Sequence, residues 1–260
     1  MDIENIYIKK YYSGRGFFHE EGLFHQKEMP YLSVAQAVTG SYEFCIDDSA
    51  TVFTKPKGVF IAPSGVMQNI THHLDQASKQ MISQWVLLDM SVNEKYLPED
   101  IYSFPLLLPE KYNEEVYHLI SSSINAQMVS ALPLLYRLVE ILFSVGKKKI
   151  IPEEFSPMKQ FLEQNYAQKI NMNDFAASFN MSVPTMFRRF QSCTGTSPAR
   201  YLSNIRLRHA CAMLENSDLS IDEIAEETGI GDRFYFSKLF KERYNVTPVT
   251  YRKFFSHAKK

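Results

Sequence analysis

The hydrophobic pattern changes period along the chain. Tyr31 to Val38 is a run of small and β-branched apolar residues, closed by Gly40-Ser41. Tyr42, Phe44 and Ile46 then alternate with Glu43, Cys45 and Asp47, the two-residue period of a strand with one buried face. Asp47-Asp48-Ser49 reads as a turn, Thr51-Val52-Phe53 as the strand leaving it, and Lys55-Pro56-Lys57-Gly58 as the next break. Val59 to Ala62 is a short apolar strand stopped by Pro63-Ser64-Gly65, and Met81 to Leu88 closes the series. Short strands with turns at this spacing predict an antiparallel barrel or sandwich.

After Pro105 and Pro109 the period lengthens to that of a helix. Glu110 to Met128 places Val116, Leu119, Ile120, Ser123, Ile124 and Gln127 on one stripe. A second helix carries Leu132, Leu135, Leu138, Val139, Leu142 and Val145, widened by Leu134 and Ile141, and is expected to end at Gly146 with Lys147-Lys148-Lys149 as cations for its C-terminus. Such stripes suit two roles, covering the barrel or pairing with a second copy. Pro152 and Pro157 mark a linker over 151–157.

The last hundred residues contain a repeat. Arg188-Arg189-Phe190-Gln191 matches Lys238-Leu239-Phe240-Lys241 at a shift of 50, as Ser197-Pro198 matches Thr247-Pro248 and Tyr201 matches Tyr251. Upstream, Asn173-Asp174-Phe175-Ala176 matches Asp222-Glu223-Ile224-Ala225 at 49, so the second copy has one extra turn residue near Gly231. Each copy reads as two helices and a tight turn. In the first, Asn173-Asp174 caps a helix carrying Phe175, Ala176 and Phe179, Asn180-Met181-Ser182 turns, and Pro184 opens a helix with Met186, Phe187 and Phe190. In the second, Ser220 and Glu223 have capping-box spacing, Thr228-Gly229 ends the helix, and Asp232 caps a helix with stripe Phe236, Leu239 and Phe240. This is helix-turn-helix logic, in which the second helix of each pair enters a DNA groove. Between the copies a long amphipathic helix starts at Pro198-Ala199, with Arg200, Arg206 and Arg208 around it.

Composition sharpens this picture. The 260 residues allow two ordinary domains, and 45% hydrophobic with 22% charged excludes disorder. The net charge of −1 is uneven: residues 1–151 carry 13 Lys and Arg against 17 Asp and Glu, and residues 152–260 carry 15 against 12. Eight of ten arginines follow residue 187, where their bidentate fork suits phosphate and guanine. Cys45, Cys193 and Cys211 form no CxxC, which fits a reducing cytosol. The first ten residues hold no apolar run, and Ala131 to Val145 contains Arg137 and Glu140 and is short for a bilayer, so neither secretory signal nor membrane span is expected.

The front of the chain, roughly 15–90, resembles a small cupin barrel in its order of strands and Gly, Asp-Asp and Pro63-Ser64-Gly65 turns. Cupin enzymes hold a metal with a HisXHis pair, a Glu and a later His; here His72-His73 is the only close pair, and neighbours on a strand face opposite ways. No metal, cofactor or catalytic group is expected, and these histidines read as surface or turn residues. From about Lys159 to Lys253 the chain resembles the DNA-binding domain of the AraC/XylS transcription regulators. Met181-Ser182, Arg188 with Phe190, Gly195-Thr196-Ser197-Pro198, Tyr201, Ile205-Arg206-Leu207, Ile224-Ala225, Gly229, Tyr235 to Lys241, Thr247-Pro248 and Tyr251-Arg252 carry the likeness. Ile230, Phe234, Phe187 and Asn245 depart from the usual residues there, Asn245 replacing a common Gly.

The resemblance implies a multidomain α+β protein: a cupin-like effector barrel over 1–108, a helical dimerisation segment over 109–150, the linker, and an all-α domain over 158–260 with helix-turn-helix motifs at about 173–192 and 221–243. It implies base contacts from Thr185, Phe187 and Arg188 in the first recognition helix and from Arg233, Phe234, Ser237 and Lys238 in the second, with Lys241 on phosphate. His19, His25, Tyr31, Gln36 and Trp85 are candidates to line an effector pocket, a carbohydrate being one candidate ligand. The expected protein is a cytoplasmic, homodimeric, effector-responsive activator that binds double-stranded DNA and RNA polymerase, with no membrane partner. Two alternatives stay open: a regulator whose barrel serves only assembly, and a cupin metalloenzyme with a DNA-binding tail.

Overall fold

The computed structural model describes residues 3–257 apart from 48, 95, 151, 153 and 154. The chain forms two compact units divided between Lys149 and Ile150. The first contains β1 (Ile6–Phe18), β2 (Leu23–Glu28), β3 (Leu32–Thr39), β4 (Ser41–Ile46), β5 (Val52–Phe53), β6 (Val59–Ala62), β7 (Met67–His73) and β8 (Met81–Val92). They make two antiparallel sheets of four strands, ordered β1-β8-β3-β6 and β2-β7-β4-β5. Ala35, Ala37, Phe60, Ala62 and Met81 of the first sheet meet Tyr42, Phe44 and Ile70 of the second in one core. Phe44 stacks on Phe60 at 4.1 Å between ring centres.

The two sheets differ in what covers them, and the sequence patterns follow. Beyond β8 come α1 (Pro98–Ile101), β9 (Tyr102–Ser103), a 3₁₀ turn (Glu110–Tyr112), α2 (Asn113–Ser123), α3 (Met128–Val145) and β10 (Lys147–Lys148). Val116 and Ile120 of α2 with Leu135, Leu138, Val139 and Leu142 of α3 pack on Val34, Ile61, Val86 and Leu88 of the first sheet. That sheet is buried on both faces, so β3 and β6 are near-continuous apolar runs. The second sheet has only its inner face buried, and β7 alternates residue by residue. The stripes of α2 and α3 thus take the covering role. At 18 residues α3 has the length and apolarity of a membrane span, longer than the sequence stretch suggested; its buried residues serve this core.

The predicted helix over Glu110–Met128 stops at Ser123, with Ile124 extended and Asn125 at φ +61°. The reason lies on β1: Tyr11 Oη donates to Ala126 O at 2.7 Å and Ser13 Oγ to Ser123 O at 3.1 Å, taking carbonyls that another helical turn would use. Lys147 and Lys148 leave α3 as extended chain paired with Ser103 and Tyr102, so they do not serve a helix end. His72 is neither a surface nor a turn residue: it lies buried on β7, whereas His73 faces outward. Within the predicted turn Asp47-Asp48-Ser49, Asp48 lies outside the described residues, as do Ile151, Glu153 and Glu154 of the predicted linker. The linker is also shorter than 151–157, because Phe155 opens a helix and is buried among Met158, Phe175 and Phe190.

The second unit contains α4 (Phe155–Gln164), α5 (Met172–Ser178), α6 (Val183–Thr194), α7 (Pro198–Asn216), α8 (Ile221–Glu227), α9 (Arg233–Tyr244) and α10 (Pro248–His257). It has two cores, not one. Phe175, Met186, Phe190, Tyr201, Leu202 and Ile205 belong to the first, and Leu207, Leu214, Ile224, Phe236, Phe240 and Tyr251 to the second. The 19-residue α7 runs through both, its N-terminal half in one and its C-terminal half in the other. At 1.5 Å per residue it spans about 28 Å.

Candidate nucleic-acid interface

The caps set the ends of the helix pairs. Ser182 Oγ accepts from Thr185 N, so Ser182 opens α6. Asp232 Oδ1 accepts from Tyr235 N at 2.7 Å and opens α9. Ser220 and Glu223 close a capping box at the start of α8, as the sequence predicts. The cap of α5 is Asn171, whose Oδ1 accepts from Asn173 N at 2.8 Å, rather than Asn173-Asp174. Replacing Asp232 by Ala should cost about 1 kcal/mol, measured as a shift in the unfolding midpoint of the second unit; no shift would contradict the cap.

The turns carry the one-residue difference. Residues 179–182 link α5 to α6, and residues 228–232 link α8 to α9. In the first, Met181 N donates to Ala176 O; in the second, both Ile230 N and Gly231 N donate to the matching Ala225 O. Gly229 and Gly231 absorb the extra residue at φ +69° and +86°. Gly195 and Asn245, fifty apart, end α6 and α9 in the same left-handed conformation, so Asn245 does serve where a Gly is common.

With Met186 and Phe190 buried, α6 exposes Phe187 and Arg188. Arg188 Nη2 lies 3.4 Å from Thr185 Oγ1, so the two share one face of the first turns. In α9, Phe236 and Phe240 are buried while Arg233, Phe234, Lys238 and Lys241 are exposed. Thr185 and Ser237 are half-buried beside these faces. Arg233 Nη1 meets Asp222 Oδ2 at 3.1 Å, and Lys238 Nζ lies 3.8 Å from Glu242 Oε1. Both pairs are exposed, so exchanging the carboxylate for a phosphate costs little. The arginines around α7 divide. Arg206 donates to Tyr166 O and Gln168 O at 2.7 and 2.8 Å, and Arg208 to Glu163 at 3.0 Å, so both brace the domain; Arg200 is exposed.

One exposed residue escaped the sequence reading. Tyr235 is 56% exposed beside Phe234 at 80%. The signal was present: of Phe234-Tyr235-Phe236 only Phe236 has helical spacing to Phe240, which leaves two aromatics outside the core.

A family model described as a helix-turn-helix domain matches residues 175–253. The HTH-type transcriptional activator RhaS of Klebsiella pneumoniae (strain 342) is 39% identical over 88 residues, 34% of this chain and 32% of that protein. The C-terminal unit is a helix-turn-helix domain of the AraC/XylS type. RhaS of Salmonella schwarzengrund is 35% identical over 95 residues, 36% of this chain and 34% of the relative. The matched part of the chain thus spans about a third of the length of these curated relatives. Outside the AraC-type domain the likeness is one of fold. The structure of unsaturated fatty acid bound ToxT from Vibrio cholerae strain SCE256 aligns over 97% of this chain and 96% of its own, with a TM-score of 0.61 at 11% identity. That of ToxT from Vibrio cholerae O395 aligns over 95% and 99%, with a TM-score of 0.62 at 10% identity. The β-rich first unit and helical second unit share the ToxT fold.

The five pocket candidates of the barrel scatter. His25 and Trp85 point inward: His25 Nδ1 lies 3.3 Å from His72 Nε2, and Trp85 joins the interior core. Tyr31 is buried with its ring 5.6 Å from that of Tyr12. His19 is exposed beyond the end of β1, where it meets Gln80. Gln36 faces away from the interior, toward α2: its Nε2 donates to Asn113 O and Lys57 O, and its Oε1 accepts from Gln84 Nε2. It shares this face with Leu32 and Val34, an even position where an odd one points inward.

Burial holds the His72 pKa at about 3, with His25, Lys27 and His73 adding repulsion; burial and Lys27 hold His25 at about 4. Tyr42, the titratable group facing them from β4, is pushed up by burial and stays neutral. A depressed histidine pKa contributes stability above the unfolded value near 6.5, lost as pH falls toward the folded value. Between pH 7 and 5, burying neutral His72 should therefore cost the first unit about 2 kcal/mol. Urea unfolding followed by Trp85 fluorescence checks this; a His72→Gln variant should have a flatter pH profile, and an equal slope in both would refute it.

Proposed function

We propose that the protein is a sequence-specific transcription regulator, an activator that responds to a small molecule in its N-terminal barrel. The observation that carries the reading is the duplicated head: two recognition helices that expose a cation at the equivalent positions Arg188 and Lys238, each on its own core, joined by one helix. Heads so joined suit successive major-groove openings on one side of a duplex, about 34 Å apart. The activator sense is supported by the RhaS relatives, and the effector by ToxT, whose structure is described as unsaturated fatty acid bound. Effector binding would act by favouring one arrangement of heads or of a homodimer. A cytoplasmic location and contact with RNA polymerase belong to the same role.

Selection of duplexes from a random pool, at fixed salt, tests it. Arg188→Ala should relax the preference at one position by about 1–3 kcal/mol, the worth of a bidentate guanine contact. Lys241→Ala should weaken binding to all sequences and lower the salt slope by about one. Equal retention of random and selected duplexes by the wild type would overturn the reading.

A further inference from the structure

The inside of the barrel carries unmatched cationic chemistry. β2 is an edge strand, with Lys27 opposite Gln68, His25 opposite Ile70 and Leu23 opposite His72. Opposed residues of two paired strands share a face. Ile70 belongs to the interior core, and Gln68 Nε2 reaches Ser33 Oγ of the facing sheet at 3.4 Å, so that shared face looks inward. Lys27 makes no hydrogen bond or ion pair with any described residue. Asp89, an acid at an inward position of β8, stands opposite Lys10 in the register. A second orphan sits opposite Lys27: Gln68 Oε1 is fully buried without a hydrogen-bond partner among the described residues. Lys27, His25 and Trp85 all keep partial exposure, so the interior is open to solvent along this edge.

We infer that the barrel binds a small organic anion, held by Lys27 with His25 and His72 beside it and with Gln68 Oε1 accepting from a donor on the ligand. A desolvated ammonium without a counter-charge is costly on its own, and an entering carboxylate or phosphate would supply the missing partner. Burial holds the Lys27 pKa below its ordinary value, in keeping with a desolvated ammonium. The inference rests on the effector reading of the barrel and gives that effector a charge. It argues against a neutral sugar, the one candidate ligand class that the sequence analysis names.

The chain has a single tryptophan, Trp85, inside this barrel, so its fluorescence reports occupancy directly. The full-length protein is titrated with hexanoate, gluconate and inorganic phosphate, and with uncharged hexanol and glucose. At least one anion should change the signal, with its neutral counterpart about tenfold weaker or more. Lys27→Met should lose that response by a similar factor and unfold at a temperature no lower than the wild type; Lys27→Arg should keep the response. A response to glucose or hexanol without one to any anion would overturn the inference and leave the effector reading intact. Unchanged anion binding in Lys27→Met, or no response to any probe, also overturns it. Duplex selection, which does not involve the barrel, decides the DNA-binding reading separately.

Discussion

Phe240→Ala should unfold the second reading head and leave the first folded. Phe240 is fully buried, with ring centres 5.6 Å from Phe236, 4.6 Å from Tyr244 and 5.3 Å from Tyr251. Truncating such a side chain costs about 3–5 kcal/mol, from lost transfer energy plus the cavity left behind. That is a large share of the roughly 5–15 kcal/mol that stabilises a domain. The loss is local because the two cores share no residue, although α7 runs through both. Amide hydrogen exchange should show protection lost in α8, α9 and α10 and kept in α5 and α6, and the protected footprint on a selected duplex should shorten to one half. Phe190→Ala should give the mirror image. Equal loss of protection in both halves would refute two separable heads.

Gly229→Ala should be comparably severe, for a different reason. Gly229 has φ +69°, where a side chain costs about 1–2 kcal/mol. A Cβ there would also stand 2.2 Å from Ala167 O and 2.6 Å from Ala167 C, so backbone must move. Forcing atoms into a packed site adds about 1–3 kcal/mol. Ala167 lies between Tyr166 and Gln168, whose carbonyls hold the Arg206 guanidinium, so displacing this loop also pulls on α7. Gly231→Ala is the control: φ is +86°, but nothing lies within 4 Å of its Cβ. The two variants should differ in unfolding midpoint by the clash alone. Equal midpoints would mean that the contact with Ala167 has no energetic weight.

The C-terminal domain was legible almost residue by residue, and its legibility has a local cause. Ser182, Ser220 and Asp232 cap helices that follow directly in the chain, and Phe190 and Phe240 mark buried faces at fixed helical spacing. Such signals involve neighbours no more than four positions apart, and here they occur twice. In the barrel the reading found β3, β4, β5, β6 and most of β8, where runs or alternations of apolar residues dominate, and missed β1, β2 and β7. His25 and Lys27 on β2, and Gln68 and His72 on β7, put polar groups where a strand pattern requires apolar ones. The pattern failed at the residues proposed to hold the ligand, which is where local consistency is expected to give way to function.

The sequence by itself determined which segments turn, cap and repeat, because those choices depend on near neighbours and on the period of the apolar residues. The tertiary structure decided the partners: that Arg206 and Arg208 brace a loop and a helix while Arg188 faces solvent, that Gln36 serves α2 and not the interior, and that Lys27 shares the inward face of β2. Each of these depends on register between strands or on groups about 20 to 80 positions away, and pairing at that distance leaves no periodic trace in the chain.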